Sequence, residues 1–268
     1  MIRDITIGQY YQTDSVIHRL DPRVKIIGTL IYIISLFLFH SFVGYAFAVG
    51  FFFFVLHLAK VPFSYTVKGL RPVFVMLIFT AFLNLFWTEG TAFFHWGVIT
   101  LTWEGLAKMA YISLRLIFLI LGASLMTLTT TPNQLTDGLE RLFSPLKILH
   151  LPVHEIAMMM SIAMRFIPIL IEETDRIMKA QTARGADFSS GNLWKRLASM
   201  LPIFVPLFAS AIRRAGDLAL AMDARCYRGG KGRTKMYPLR HTRRDLGAYG
   251  VCVLYLVSYC IIGKLSLF

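Results

Sequence analysis

Charged residues are scarce in this sequence, and their scarcity limits the classes of protein to which it can belong. Only 16% of the 268 residues are charged, whereas a soluble domain carries about 25%. Hydrophobic residues make up 56% of the chain, and phenylalanine alone accounts for 22 residues. A soluble chain could not bury that much apolar surface, so the composition predicts a membrane protein.

Cysteine is also sparse, and it offers neither a disulfide framework nor a metal site. The three cysteines, Cys226, Cys252 and Cys260, have neither paired spacing nor metal-ligand spacing. The first 23 residues include several charges and lack the apolar stretch of a secretory signal. The first apolar run is therefore expected to be a retained membrane helix.

Acidic residues are outnumbered by basic ones, 15 to 28, which gives a net charge of +13. The basic residues flank apolar runs and do not alternate with aromatic residues on a polar face, so nucleic acid is not expected as a partner. Their position beside apolar runs indicates a lipid bilayer instead.

Apolar stretches of the length needed to cross a bilayer, about 20 residues, recur along the chain. We predict five spans, at roughly 24–40, 42–59, 72–88, 106–129 and 245–263.

Lysine and arginine positions orient these spans. Basic residues precede the first span and lie between the second and third, whereas residues 89–105 contain none. By the positive-inside rule the N-terminus is cytoplasmic and the 89–105 loop is outside. The chain is thus predicted to be a multi-pass protein of the cell membrane.

The segment between the fourth and fifth spans is the unusual part. Residues 130–244 hold 18 of the 28 basic residues and 9 of the 15 acidic ones. Two apolar stretches within the segment, 156–171 and 197–212, are short for spanning and run directly into charged helical sequence. We place them below the membrane, in or against its surface, while seven spans remain the alternative.

This pattern predicts an all-α membrane protein with three regions. They are an N-terminal transmembrane region with about four spans at 1–130, a cytoplasmic region with two long, crossing amphipathic helices at 131–244, and a C-terminal transmembrane helix at 245–268.

A short arginine motif is written twice, once at the end of each long helix. The first copy reads AQTARG from Ala180, and the second reads AMDARC from Ala221. Alanine keeps the backbone slim beside each arginine, and the planar guanidinium matches a carboxylate. The two tips suit acidic grooves on partner proteins, although an arginine also stabilises any helix C-terminus.

Longer motifs resemble those of the transmembrane T component of energy-coupling factor importers, the EcfT/CbiQ family. The residues that carry the resemblance are the two arginine motifs together with HRLDPRVKI at 18–26 and TPNQLTDGLERLFSPLKILHLPVHEIAMMMSIAMRFIPIL at 131–170. The likeness covers most of the chain and is strongest across 131–233.

The resemblance implies a noncatalytic membrane subunit between two ABC-type ATPases and a small membrane protein, the S component, that captures a vitamin or metal ion. The docking residues carried over are Ala183, Arg184, Gly185, Ala224, Arg225 and Cys226. Cys226 stands where the family pattern usually has glycine, which puts a glycine-dependent turn there in doubt. ATP and Mg are then bound by the ATPases, and this chain holds no cofactor or metal.

The apolar half of the first long helix presents four methionines, a flexible surface that suits binding of different partners. In the family this region carries the S component, although packing between the two helices would explain the same residues. The methionines are Met158, Met159, Met160 and Met164.

Other function classes find less support. A lipid or prenyl transferase needs clustered aspartates for Mg²⁺, and the acidic cluster at 172–175 has no second cluster to accompany it. A secondary transporter would need polar groups at mid-membrane or an inverted repeat. Arg115 is the one charge near the middle of a predicted span, where it could function in transport, pair with another helix or extend to the interface.

Overall fold

The structure is a computed structural model, and it describes residues 10–38, 42–87, 91–96, 99–149, 151–186, 193–230 and 241–265. Its helices are α1 (Pro22–Leu38), α2 (Phe42–Ala59), α3 (Phe63–Lys68), α4 (Phe74–Trp87), α5 (Trp103–Thr129), α6 (Pro132–Leu142), α7 (Val153–Ala183), α8 (Leu193–Ala224) and α9 (Arg243–Leu265). Short 3₁₀ turns lie at Arg71–Val73 and Ser144–Leu149.

The prediction of an all-α membrane protein is confirmed, with one small exception in the predicted outer loop. There, strands β1 (Ala92–Trp96) and β2 (Ile99–Thr102) form an antiparallel hairpin. Aromatic and β-branched residues are frequent in both strands, and such residues favour extended structure. Thr102 then caps α5, because its hydroxyl oxygen accepts a hydrogen bond from the Gly105 amide at 3.1 Å.

Four helical segments of the described chain have the length and apolar composition to cross a membrane. They are Phe63–Trp87, Trp103–Thr129, Val153–Ala183 and Arg243–Ile262. With 17 and 18 residues, α1 and α2 are shorter but fall within the range of membrane helices. The cytoplasmic position of α7, which is among these four, stays a prediction.

The chain divides into two compact units. One contains the long helices α7 and α8; the other contains α1 to α5, most of α6, and α9. The second unit is a helical bundle whose core includes aromatic residues of α1, α2, α5 and α9.

Two helices of the bundle, α1 and α9, run parallel. The amide of Asp21, just before α1, donates to the Asp245 carboxylate in the first turn of α9 at 2.9 Å. Two turns further along both helices, Gly28 lies against the sulfur of Cys252. Both helices therefore start at the same end of the bundle.

Helix α5 runs in the opposite direction to α1. Lys25 in the first turn of α1 contacts Thr129 at the end of α5, and Tyr32 packs on Gly122, where a Cβ atom would lie 2.8 Å from the ring. The end of α5 thus meets the starts of α1 and α9, as the predicted topology requires. The cytoplasmic assignment of this end stays a prediction.

A group of buried polar residues joins these three helix ends, and we call it the terminal clamp (Asp21, Lys25, Thr129 and Asp245). One oxygen of Asp245 caps the start of α9 by accepting from the amide and hydroxyl of Thr242, each at 2.7 Å. Its other oxygen accepts from the amide of Asp21. A single carboxylate therefore caps one helix and holds the start of another.

Within the clamp, Lys25 satisfies carbonyl groups that would otherwise be buried without donors. Its Nζ donates to the carbonyl of Thr129, the last residue of α5, at 2.8 Å and to the carbonyl of His18 at 3.1 Å. The His18 ring lies between the Ser15 hydroxyl and the Tyr11 carbonyl. Burial lowers the pKa of His18, which favours its neutral form.

Arg115 is partnered within the bundle. Its Nε donates to the Tyr45 hydroxyl at 2.8 Å, and its guanidinium lies 5.1 Å from the centre of the Phe37 ring. Of the three possibilities open from the sequence, pairing with neighbouring helices is therefore the one observed.

Candidate functional site at the ends of the two long helices

Both arginine motifs end their helices with the same backbone hydrogen bonds. In the first copy, the amide of Gly185 donates to the Thr182 carbonyl at 2.9 Å and that of Ala186 to the Gln181 carbonyl at 3.0 Å. The second copy repeats the pair: Cys226 to Asp223 at 2.9 Å and Tyr227 to Met222 at 3.0 Å. Each arginine is thus the C-cap residue of a Schellman motif.

The residue after each arginine adopts the left-handed conformation that this motif needs. The φ angle is +88° at Gly185 and +56° at Cys226. The turn that seemed to depend on glycine therefore forms with cysteine in its place. The left-handed conformation costs a residue with a Cβ atom about 1–2 kcal/mol, so the second tip carries local strain that the first does not.

A pair of opposite substitutions measures this strain. Cys226→Gly should stabilise the end of α8 by up to about 1 kcal/mol, and Gly185→Ala should destabilise the end of α7 by about the same amount. No other atom lies within 4 Å of a Cβ built on Gly185, so the Gly185→Ala substitution acts only through the backbone conformation. Hydrogen exchange of the amides at 182–186 and 223–227 reports each change, and shifts of the same sign would contradict the assignment.

The tips are open to solvent in the isolated chain. Both arginines are exposed, and no described acidic side chain forms an ion pair with either. Their neighbours in the two motifs are exposed as well: Ala183, Gly185, Ala224 and Cys226. Among the described residues, both guanidinium groups are therefore exposed beside small side chains, and their N–H donors remain available to a partner.

Helices α7 and α8 are antiparallel, so their two tips point in opposite directions. Gln181 lies against Pro202, and Glu173 lies against Ser210 and Arg214, so the order of contacts is reversed between the helices. Counted along the helices from these contacts, Arg184 and Arg225 are separated by up to about 40 Å. Two tips at this separation can engage two different proteins.

A charged link joins the middle of the two helices. The Glu173 carboxylate accepts hydrogen bonds from the Ser210 hydroxyl, at 2.8 Å, and from the Arg214 guanidinium, with which it forms an ion pair. Hydrogen bonds to a charged partner are shorter and stronger than neutral ones. This link fixes the register of α7 against α8.

A second link depends on a proline. Pro206 has no N–H, so the carbonyl of Pro202 loses its normal helical donor. The side chain of Gln181, within the first arginine motif, donates to that carbonyl at 3.4 Å. The first tip is therefore connected to the proline-containing part of α8.

The four methionines of α7 are not equally exposed. Met159 and Met160 have 57% and 44% of their surface accessible, whereas Met158 and Met164 are intermediate. The apolar surface of this unit thus includes part of the predicted methionine set.

Helix α8 contributes a larger apolar stripe that the sequence prediction did not single out. Its members recur at intervals of three and four residues and are all strongly exposed: Leu201, Phe204, Val205, Phe208 and Ile212. The signal was present in the helical periodicity of 197–212. So large an exposed apolar surface is typical of a surface that contacts a protein or lipid.

Within the described residues, no group of three or more histidine, cysteine, aspartate or glutamate side chains could hold a metal ion. The arrangement at the tips and along the apolar stripe is suited to protein contact.

Comparisons with known proteins identify the family of this chain. The family model CbiQ, described as cobalt transport protein, matches residues 13–236. Three similar proteins are named energy-coupling factor transporter transmembrane protein EcfT. The one from Clostridium kluyveri is 53% identical over 99% of this chain and 98% of the relative. That from Thermosediminibacter oceani is 52% identical over 92% and 94%, and that from Bacillus subtilis 48% over 91% and 93%.

The matched residues include both arginine motifs and both long helices. They also include three of the four residues of the terminal clamp, Asp21, Lys25 and Thr129. The chain therefore belongs to the EcfT/CbiQ family and is a transmembrane component of an energy-coupling factor transporter.

Proposed function

We propose that this chain is the noncatalytic coupling subunit that links two ABC-type ATPases to a membrane-embedded S component during uptake of a vitamin or metal ion. The observation that carries the proposal is the pair of exposed arginine tips, built alike and pointing in opposite directions from one antiparallel helix pair. Two similar tips fit two similar partners.

Arg184 docks on one ATPase and Arg225 on the other. An arginine with unused donors and alanine beside it can enter a narrow groove and form two parallel hydrogen bonds with a carboxylate there. ATP and Mg are held by the ATPases, and this chain contributes no cofactor.

The exposed apolar surface of the same unit receives the S component. Met159 and Met160 lie on α7, and the α8 stripe around Phe204 and Phe208 supplies aromatic contact area. Flexible methionine and planar aromatic residues are enriched at protein interfaces. Met158 and Met164 are less exposed and supply a smaller share of this surface.

The end of the bundle with the terminal clamp faces the cytoplasm. Basic residues are abundant near this end, among them Arg19, Arg23, Arg243 and Arg244, and the positive-inside rule places such residues on the cytoplasmic side. The N-terminus is then cytoplasmic, on the side where the ATPases work.

ATP-driven movement passes through the helix pair. When the ATPases close, the docked tips are displaced relative to each other, and the link between Glu173 and Arg214 transmits this displacement from one helix to the other. A ligand shifts a conformational equilibrium only through contacts that differ between the two states. The tips supply those contacts on the ATPase side and the apolar stripe supplies them on the S-component side.

Breaking the central link should uncouple the helices without detaching the ATPases. We expect Glu173→Gln to lower ATP-driven uptake several-fold while ATPase co-purification stays at the wild-type level. Because the link is an ion pair, the exchange Glu173→Arg with Arg214→Glu should restore much of the loss in a double-mutant cycle. Uptake assays in proteoliposomes measure this, and full activity of Glu173→Gln would remove the link from the mechanism.

Affinity purification from membranes tests the proposed function as a whole. Tagged wild-type chain, solubilised in mild detergent, should retain two ATPase subunits and one small membrane protein for each copy. A chain that purifies without ATPases yet mediates uptake by itself would be a secondary transporter, and the proposal would be wrong.

A further inference from the structure

The helical bundle contains a groove that the coupling function does not use. It has a volume of about 450 Å³ and is lined by α1, α2, α5 and α9 and by the segment before α1. We propose that it holds one acyl chain of an anionic phospholipid whose headgroup lies at Arg244.

The walls of the groove are apolar and made partly of residues without bulky side chains. Gly28, Gly122, Gly247 and Ala248 all line it, and a Cβ atom built on Gly247 would meet no atom within 4 Å. The space beside Gly247 is therefore open, whereas Gly28 and Gly122 are already packed against Cys252 and Tyr32. An extended hydrocarbon chain is the kind of molecule that fills such a space in a bilayer.

A buried hydroxyl among the lining residues indicates a ligand. Tyr32 is 5% exposed, and its hydroxyl finds no hydrogen-bond partner among the described residues. A buried polar group is normally paired. A phospholipid brings ester oxygens that can accept hydrogen bonds next to its acyl chains, whereas a simple hydrocarbon brings none.

The mouth of the groove is positively charged. Arg244 lies on its rim, is exposed, and forms no ion pair with a described acidic side chain. The nearby carboxylate of Asp245 is already engaged by backbone amides in the terminal clamp. Lys25 also lines the groove and has used two of its three donors. The rim thus favours an anionic headgroup over a zwitterionic one.

The dimensions fit a lipid of one leaflet. From Arg244 to Cys252 the groove follows α9 for about 12 Å. This depth is less than half the hydrocarbon thickness of about 30 Å. The headgroup therefore stays at the membrane surface while the first part of one acyl chain enters the bundle.

Native mass spectrometry of the delipidated full-length chain tests the site. The protein is titrated with dioleoyl phosphatidylglycerol or dioleoyl phosphatidylcholine, which differ only in the headgroup. Two pairs of variants separate the contributions of charge and space. Arg244→Gln is matched by Arg243→Gln in the same turn but outside the groove. Gly247→Leu is matched by Gly250→Leu, whose Cβ position is equally open but does not line the groove.

We expect the wild type to bind one phosphatidylglycerol more tightly than phosphatidylcholine. Arg244→Gln should reduce that preference about fivefold, the factor that one basic residue contributes near a membrane surface. Gly247→Leu should abolish binding of both lipids, and the two control variants should behave as the wild type. Equal binding of the two lipids to the wild type would overturn the proposal, and so would full lipid binding by Gly247→Leu. An equal loss of lipid binding in a variant and in its matched control would also overturn it.

Discussion

Replacing both Arg184 and Arg225 with alanine should abolish ATP-driven uptake while the membrane-embedded bundle stays folded. Removing one partner of a buried, hydrogen-bonded charge pair costs about 3–5 kcal/mol, which corresponds to a loss of about 10²–10⁴-fold in affinity at each tip. The C-cap hydrogen bonds come from the backbone, so alanine leaves the helix ends intact. Uptake and ATPase co-purification are the two readouts.

The control is a double variant of two other exposed arginines, one on each long helix. Arg176→Ala with Arg213→Ala removes the same net charge from α7 and α8 but leaves the tips unchanged. We expect this control to retain ATPase binding and uptake. Each single tip variant should lose part of the binding and most of the uptake, because both ATPases must move together. Normal uptake by the double tip variant would refute the docking role.

The second large effect is expected in the terminal clamp. Asp245→Asn removes the charge that faces Lys25 and one strong acceptor for the amide of Asp21, and Lys25→Met leaves the carbonyl of Thr129 without its donor. Each change should lower the free energy of unfolding by about 1–3 kcal/mol, because a buried hydrogen-bonding group is left without its partner. For a chain of this size that is a fall in melting temperature of about 2–12 °C.

Thermal unfolding in detergent measures the loss, and an exposed ion pair supplies the comparison. Asp14 pairs with Arg19 at 3.4 Å, with both side chains largely accessible. Asp14→Asn should change stability by less than about 1 kcal/mol. The double variant Lys25→Met with Asp245→Asn should lose less than the two single losses together, because both residues belong to one network. Wild-type stability of Asp245→Asn would show that the clamp does not hold the helix ends.

The clamp illustrates what the sequence could and could not predict. The motif HRLDPRVKI carried the family resemblance, and aspartate followed by proline is a recognisable helix start. Its main partner, Asp245, lies 224 residues further along the chain. No local sequence pattern connects Asp245 with this motif. That the motif joins helix ends could therefore be seen only in the structure.

The tips show the opposite balance. The repeated alanine–arginine pattern located both helix ends, which lie at Ala183 and Ala224. The left-handed turn at Cys226 could not be predicted, because cysteine rarely adopts it and local propensity favours glycine there. The backbone hydrogen bonds of the helix cap outweigh that preference.

Predictions about surfaces were less complete. Methionine was singled out because of its chemistry, yet the most exposed apolar residues of the unit include Phe208 at 69% and Val205 at 67% on α8. From the sequence alone, aromatic and branched residues in an apolar run are equally compatible with a buried core and with an exposed surface. The positions of neighbouring helices decide between the two. The outer hairpin was missed for a related reason, since its strands are only five and four residues long.

Site-specific photo-crosslinking tests the central claim most directly. A photoreactive amino acid is placed at Ala183 or at Ala224, beside each arginine, and irradiated in membranes that contain the assembled transporter. The account predicts that each position crosslinks to an ATPase subunit, and that the two positions reach different copies. Crosslinks from both positions to the S component alone, or no crosslink to an ATPase from an intact and active complex, would contradict it.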